Sequence, residues 1–508
     1  MKEGAFPRKL MLAGILLVLN IAAHFMPFER AALAPDDYAL LIRSQEESAS
    51  FLNYASRPIC YLFLRAQSIF VGDNAVYGFI LLLASSAVLL IAVFLLLNEL
   101  LRDEISAFLA GAIFCLLPNT LEIYHTAIFA NINLVFSVYV LCLLFYLKYL
   151  DSGKTRFLAV SIALYAAGIF WYEAGFFTPL IMLIAAFLKN GKKVLSWLLF
   201  LPLSFVYVIY RFTGAFGFDM RPGESRAASL AVIPFNLLEL VRHYAGRYMA
   251  RSVLYGLYKF RSIEMPWLFF MCVIGIAIVL FTVNLIKKLE PVKIRSDALI
   301  LACAIFAFWL LPILLNGQGG VGGRHLVLPS IGLSVILLWL FGKIKKGRAV
   351  TAGVAMIILM AICQGNAWSQ VVACRINASV YGYMKESSRA LKVARFVVVD
   401  ARSFAEKIPF TLVPQDFNVL STYYGAQAFE GWGLKSMVKL AAHENAKEVY
   451  IAKTRPGLHA GKIEFDMPAY AGYRSEKSEH VSLDAGGCLV VDYDSVYGKG
   501  FMNGLRVR

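Results

Sequence analysis

The chain has 508 residues, 59% of them hydrophobic and only 16% charged, and its mean hydropathy is +0.66; soluble domains carry about 25% charged residues. One buried core does not account for that excess, and the apolar residues fall in blocks suited to crossing a bilayer, about 17–25 residues each, which excludes a single soluble domain. The formal net charge of +16 would suit nucleic acid in a soluble protein. Here the Lys and Arg sit mostly in short runs between apolar blocks, as cytoplasmic loops do, so no nucleic-acid partner is expected.

Arg8 and Lys9 precede an apolar stretch, Leu10 to Phe28. It is long for the core of a signal peptide and no small-residue cleavage site follows, so it is expected to be the first membrane helix. Further spans are expected at 77–98, 105–118, 126–147, 157–172, 174–188, 194–212, 266–286, 298–315, 325–342 and 349–367. The fold class is therefore an α-helical polytopic membrane protein with about eleven transmembrane helices. The blocks at 105–118 and 174–188 are short for a full span.

Loop charge orients the bundle. With the N-terminus in the cytoplasm, the inner loops carry Lys148, Lys154 and Arg156; Lys189, Lys192 and Lys193; Lys287, Lys288, Lys293 and Arg295; and Lys343, Lys345, Lys346 and Arg348. The inner loop at 99–104 has only Arg102, and the short outer loops at 119–125 and 173–174 have neither Lys nor Arg. This alternation follows the positive-inside rule.

Two outer loops are long. The first, 29–76, is expected to hold helical pieces lying along the membrane. The second, 213–265, contains Pro234 to Tyr258, whose pattern predicts an amphipathic helix. At about 100° per residue, Leu237, Val241, Tyr244, Tyr248 and Tyr255 share one face, and His243, Arg247 and Arg251 the next. Aromatics beside cations suit a helix at headgroup level. Two readings stand: an interfacial packing helix, or cations that help to hold an anionic lipid.

Five of the eight cysteines (Cys115, Cys142, Cys272, Cys303, Cys363) lie in or at the ends of apolar blocks, where they act as small hydrophobes. There is no CxxC, and a metal or redox role has no support. Cys374 and Cys488 would be able to pair in an exported domain. After Trp368 the composition turns polar, with strand-like runs at Phe396–Asp400, Glu448–Ala452 and Gly487–Asp492. Residues 1–370 are thus expected to form the membrane domain. Residues 371–508 are expected to form a small extracytoplasmic domain of mixed α/β type.

The ionisable residues outside the inner loops collect at helix ends on the predicted outer face. The notable ones are the acids Asp36 and Asp37 after the first helix, Glu122 between the third and fourth and Glu173 between the fifth and sixth, with Arg324 before the tenth on the same face. Moving a sugar from a lipid phosphate to a hydroxyl needs a base for the acceptor proton, which a carboxylate supplies. It also needs a cation on the departing phosphate, for which the Arg fork is suited. Direct displacement inverts the anomeric carbon, so base and cation must face the sugar from opposite sides. Each residue also has a plainer reading. The Asp pair suits a solvated helix cap, Glu122 a loop carboxylate, and Arg324 a headgroup anchor. Glu173, in the mostly apolar run Ile169 to Phe177, is costly unless paired. His125 and His325 suit hydrogen-bonded boundary positions.

Several segments, in order, resemble the GT-C superfamily of glycosyltransferases, which includes protein O-mannosyltransferases and lipid A aminoarabinose transferases. Ala34-Pro-Asp-Asp-Tyr38 resembles the acidic motif of that family's first external loop, and Ser56-Arg-Pro-Ile59 the Arg-Pro-Leu after it. Ala110 through Pro118 to Glu122 resembles the helix that ends in Pro with a nearby Glu. Phe170-Trp-Tyr-Glu173 through Pro179 resembles the Lys-Glu segment before a Pro, with Tyr172 in place of Lys. Gly323-Arg-His-Leu326 through Leu333 resembles the late Glu-Arg-Tyr-Leu segment. The first acidic pair is Asp-Asp rather than Asp-Glu, and no tetratricopeptide tail is present.

The resemblance implies a catalytic set of Asp36 or Asp37 as base, with Glu122 and Glu173 positioning base, acceptor or sugar. It implies Arg324 on the donor phosphate, and Arg57, His325, Arg247 and Arg251 are the further candidates there. The expected function is an inverting transferase in the bacterial inner membrane, working at the outer face. Its donor would be a polyprenyl- or dolichyl-phosphate sugar, and its acceptor a cell-envelope glycan, a lipid or a protein. Beyond the lipid-phosphate sugar donor no cofactor is assigned, and the acidic cluster suits either a divalent cation or a proton alone. The rivals are a flippase of lipid-linked sugars and a polysaccharide polymerase or ligase using a lipid-diphosphate donor.

Overall fold

Each apolar block of the sequence forms helix. The computed structural model describes residues 5–26, 28, 57–72, 74–124, 126–189, 191–212, 237–238, 252–261, 263–288, 294–314, 323–344, 347–386, 392, 394–400, 448–452, 456–468 and 478–492. Among them, seven helical segments are long and apolar enough to cross a membrane. They are Arg8–Phe25, Ala75–Leu101, Phe129–Ser152, Lys193–Tyr210, Met265–Leu285, Arg324–Gly342 and Ala349–Val371. The chain is a multi-pass membrane protein. The other expected spans fall on shorter apolar helical segments, at Glu104–Leu116, Thr155–Trp171, Thr178–Lys189 and Ser296–Pro312.

Local chemistry sets where the helices begin and end. We number them α1 (Ala5–Asn20), α2 (Pro58–Val71), α3 (Ala75–Leu101), α4 (Glu104–Leu116), α5 (Phe129–Ser152), α6 (Thr155–Trp171) and α7 (Thr178–Lys189). The side chain of Asn74 accepts from Val76 N at 2.9 Å and starts α3; that of Asp103 accepts from Ser106 N at 2.8 Å and starts α4. Pro58 opens α2, where its missing N–H is no loss. Pro118 ends α4 by holding Leu117 extended. A helix of thirteen residues spans about 20 Å, short of the roughly 30 Å hydrocarbon core. The chain completes the distance as the 3-10 turn Pro118–Tyr124, with Leu121, Ile123 and Tyr124 still buried.

The centre of the bundle is α5, most of whose side chains are buried, whereas those of Lys193–Tyr210 and Met265–Leu285 are mostly not. Tyr139, Leu143 and Tyr146 of α5 are wholly buried. The later helices are α8 (Leu201–Phe212), α9 (Ser252–Phe260), α10 (Met265–Lys288), α11 (Ser296–Leu314), α12 (Val327–Gly342) and α13 (Arg348–Glu386). Two pairs close on glycine. A Cβ on Gly332 of α12 would stand 2.2 Å from Ala302 O of α11, and one on Gly365 of α13 would stand 1.8 Å from Gly256 O of α9. Small residues let membrane helices approach this far.

Several expectations are corrected here. The last helix does not end at 367 but runs 39 residues to Glu386, about 58 Å, nearly twice the hydrocarbon core. The drop in hydropathy after Trp368 marks a change of surroundings along one helix, since Ser369 to Glu386 contains no proline to stop it. Arg375 on this extension stacks on Trp368 at 5.2 Å and bonds Glu264 at 2.7 Å. Cys374 lies within α13 while Cys488 opens a strand, and both are free thiols. Of the amphipathic stretch Pro234 to Tyr258, only residues 237–238 and 252 onward are described, the latter as α9; His243, Arg247 and Arg251 lie outside the described residues.

The C-terminal part contains the three expected strands, Phe396–Asp400 (β1), Glu448–Ala452 (β2) and Cys488–Asp492 (β6), in a parallel sheet of order β2-β1-β6. An antiparallel sheet, Gly457–His459 (β3), Lys462–Pro468 (β4) and Ser478–Asp484 (β5), escaped the sequence reading. Its signal is the alternation Ile463-Glu-Phe465-Asp-Met467. Phe465 and Leu483 pack with Phe396 and Val398 in the core that joins the two sheets.

Candidate functional site

Two polar zones stand at opposite ends of the bundle. At one end, Asp151 accepts from Lys189 at 2.5 Å and from Arg102 at 3.2 Å, and Arg8 and Lys9 lie 3.8 Å from Glu104. A cavity there is lined by Glu99, Arg102, Lys189, Arg295 and Asp297, among others. These are the basic loops assigned to the cytoplasm. Helices α4, α5 and α6 join that end to the other, where the turns 117–124 and 172–177 lie.

The turn 172–177 is fixed from below by aromatic side chains. Tyr139 of α5 donates its hydroxyl to Tyr172 O at 2.7 Å. Tyr165 of α6 donates to Phe176 O at 2.9 Å, and Trp309 Nε1 of α11 to Thr178 Oγ1 at 3.0 Å. The Tyr139 ring passes so close beneath the turn that a Cβ on Gly175 would lie 2.3 Å from it, and one on Gly168 2.8 Å. The 3-10 turn Pro118–Tyr124 is held likewise. Asn133 Nδ2 donates to Ile123 O at 3.3 Å, and Asn119 Nδ2 to Ser330 Oγ of α12 at 2.5 Å. Tyr124 stacks on His24 with ring centroids 3.9 Å apart, and His24 Nε2 lies 2.8 Å from Cys115 O.

On this frame the chain brings Arg57, Tyr172, Glu173, Arg324 and His325 to one end of the bundle. Arg57 grips Glu173 through two hydrogen bonds, one of them Nε to Oε2 at 2.9 Å. The Arg57 guanidinium also lies 4.8 Å above the Tyr172 ring. Burial alone would lower its pKa, but the charge and hydrogen bond of Glu173 more than reverse this and hold it above its ordinary value. The expected cost of an unpaired Glu173 is therefore met by an ion pair. Tyr207 of α8 donates to the same carboxylate at 3.3 Å. The Tyr172 hydroxyl lies 3.0 Å from His325 Nε2 in the 3-10 turn Gly323–Leu326. Arg324, in that turn, stands 5.9 Å over the ring of Phe129 at the start of α5.

Asp36, Asp37, Arg247, Arg251 and His125 lie outside the described residues. Glu122 is described by its backbone, within the 3-10 turn Pro118–Tyr124. Among the described residues, no three His, Cys, Asp or Glu side chains are placed to hold a metal ion. Sequence reasoning overlooked Tyr172, Tyr207 and Phe129 as neighbours of the charged set. The two aromatics that precede Glu173 in sequence, Trp171 and Tyr172, were the available signal. Trp171 Nε1 donates to Asn131 Oδ1 and so ties α6 to α5 beside the site.

No protein-family model matches the chain, and no curated protein does. Among solved structures, the crystal structure of the Archaeoglobus fulgidus oligosaccharyltransferase in complex with Zn and sulfate aligns with it. The alignment has 12% identity over 87% of this chain and 68% of that one, with a TM-score of 0.39.

Proposed function

We propose that the protein is a membrane glycosyltransferase that moves a sugar from a polyprenyl-phosphate donor to a hydroxyl acceptor with inversion, at the end of the bundle facing away from the cytoplasm. One observation carries the reading. Arg57, Glu173 and His325, distant in sequence, meet at the end opposite the basic loops, and Arg324 shares a turn with His325. That is where a lipid headgroup is available to a residue anchored in the bundle.

In this reading Asp37, or its neighbour Asp36, takes the proton from the acceptor hydroxyl. The acceptor oxygen attacks the anomeric carbon as the bond to phosphate breaks, and Arg324 receives the charge that grows on the phosphate oxygens. Glu173 has a positioning role rather than that of a base, because its carboxylate is engaged by Arg57. Glu122 borders the same region by its backbone. The acceptor class is a glycan, lipid or protein of the cell envelope.

The test is transfer by the full chain in lipid nanodiscs, offered lipid-monophosphate and lipid-diphosphate sugars side by side. Transfer from the monophosphate, abolished in both Asp36→Asn and Asp37→Asn or in one of them while the variants stay folded, supports the reading. Normal transfer by both variants removes the assigned base, and turnover with the diphosphate alone replaces the donor class.

A further inference from the structure

We infer that Tyr172 is a positioning residue for the phosphate-binding cation, acting through His325. The inference rests on the reading above, in which Arg324 receives the donor phosphate. Tyr172 is itself held firmly. Its backbone is extended, its N–H bonds Gly168 O at 2.8 Å, and its carbonyl takes the hydroxyl of buried Tyr139 at 2.7 Å. One side chain then meets two charged neighbourhoods. Its ring face carries the Arg57 guanidinium at 4.8 Å, and its hydroxyl reaches His325 Nε2 at 3.0 Å.

The consequence for Arg324 follows from the turn it occupies. Gly323–Leu326 is a single 3-10 turn ahead of α12. On the bundle side it is seated by buried Leu326, whose carbonyl accepts from Ser330 Oγ at 2.6 Å. On the site side, the bond from His325 to Tyr172 joins it to the turn 172–177. A guanidinium that must match phosphate oxygens in two directions is sensitive to small shifts of its base. The Tyr172–His325 bond thereby sets the register between the turn bearing Arg324 and the turn bearing Glu173. It contributes to donor binding without touching the reacting atoms.

The experiment measures binding of polyprenyl monophosphate to the full chain in nanodiscs, together with transfer kinetics, for Tyr172→Phe, His325→Leu, the double variant and His325→Gln. Tyr172→Phe keeps the ring under Arg57 and removes only the hydroxyl. The expected result is a rise in Kd and donor KM of roughly three- to tenfold in each of the first two, with kcat at saturating donor little changed. The double variant should be no worse than the weaker single one, and His325→Gln, which preserves a hydrogen-bonding partner, should bind like the parent. Unchanged Kd and KM in Tyr172→Phe overturn the inference, as do losses that add in the double variant. Should His325→Leu fail to fold, Tyr172→Phe alone decides. A parent protein that does not bind polyprenyl monophosphate overturns the donor reading itself, an outcome separate from a parent that binds and a Tyr172→Phe that binds equally well.

Discussion

Arg57 and Glu173, 116 residues apart, form a two-bonded ion pair at the end of the bundle. Their side chains are 25% and 30% exposed. The pair joins the start of α2, directly after the first long loop, to the turn between α6 and α7. It accounts for a carboxylate in an apolar run.

Removing one partner leaves the other charge partly buried. Glu173→Gln and Arg57→Gln should each lower the melting temperature in detergent and reduce transfer by about tenfold or more. The exchanged pair, Arg57→Glu with Glu173→Arg, should recover much of the stability but less of the activity. Its cation stands on a different backbone and no longer stacks on Tyr172 in the same way. Equal stability in the singles and the parent would show that the pair contributes nothing.

Arg324→Ala should raise the donor KM and weaken binding of polyprenyl monophosphate by more than tenfold, while Arg324→Lys recovers only part of the loss because a point charge replaces the fork. Isothermal titration or filter binding reads this directly. Unaltered donor dependence in Arg324→Ala would remove its role.

Gly175→Ala tests the seat of the turn. Its new Cβ meets the buried Tyr139 ring at 2.3 Å, an overlap that one of them must relieve by moving. The expected destabilisation is about 1–3 kcal/mol, with a matching fall in transfer as Tyr172 and Glu173 shift. Adding Tyr139→Leu should return part of the stability by opening space, though without the hydroxyl that holds Tyr172 O.

The charges at the opposite end serve as a contrast. Arg102 and Asp151 are 51% and 32% exposed, and exposed pairs contribute about 0–1 kcal/mol. Arg102→Gln should therefore leave melting and transfer nearly unchanged, and a protease-protection or reporter-fusion assay should place residue 153 in the cytoplasm and residue 175 outside. A large loss of transfer in Arg102→Gln would mean that the chemistry lies at the basic end.

Much of the fold was legible because membrane helices obey local rules. Unbroken apolar length needs no knowledge of distant residues. The parallel strands at 396–400, 448–452 and 488–492 showed as short runs of β-branched residues. The extension of α13 to Glu386 did not, since hydropathy reports the solvent around a helix and not whether its backbone continues. The alternating strand at 462–468 was passed over because its apolar positions are few and separated by charge.

The sequence by itself determined that this chain crosses a membrane many times, that its basic residues gather between the apolar blocks, and that Glu173 requires a partner. Only the tertiary structure decided that the partner is Arg57, that Tyr172 bridges toward His325, and that α9 and α13 meet at Gly256 and Gly365. Composition and spacing act within one helix or loop, whereas an ion pair or a glycine contact depends on how separate helices are placed side by side, which is set by packing across the whole bundle.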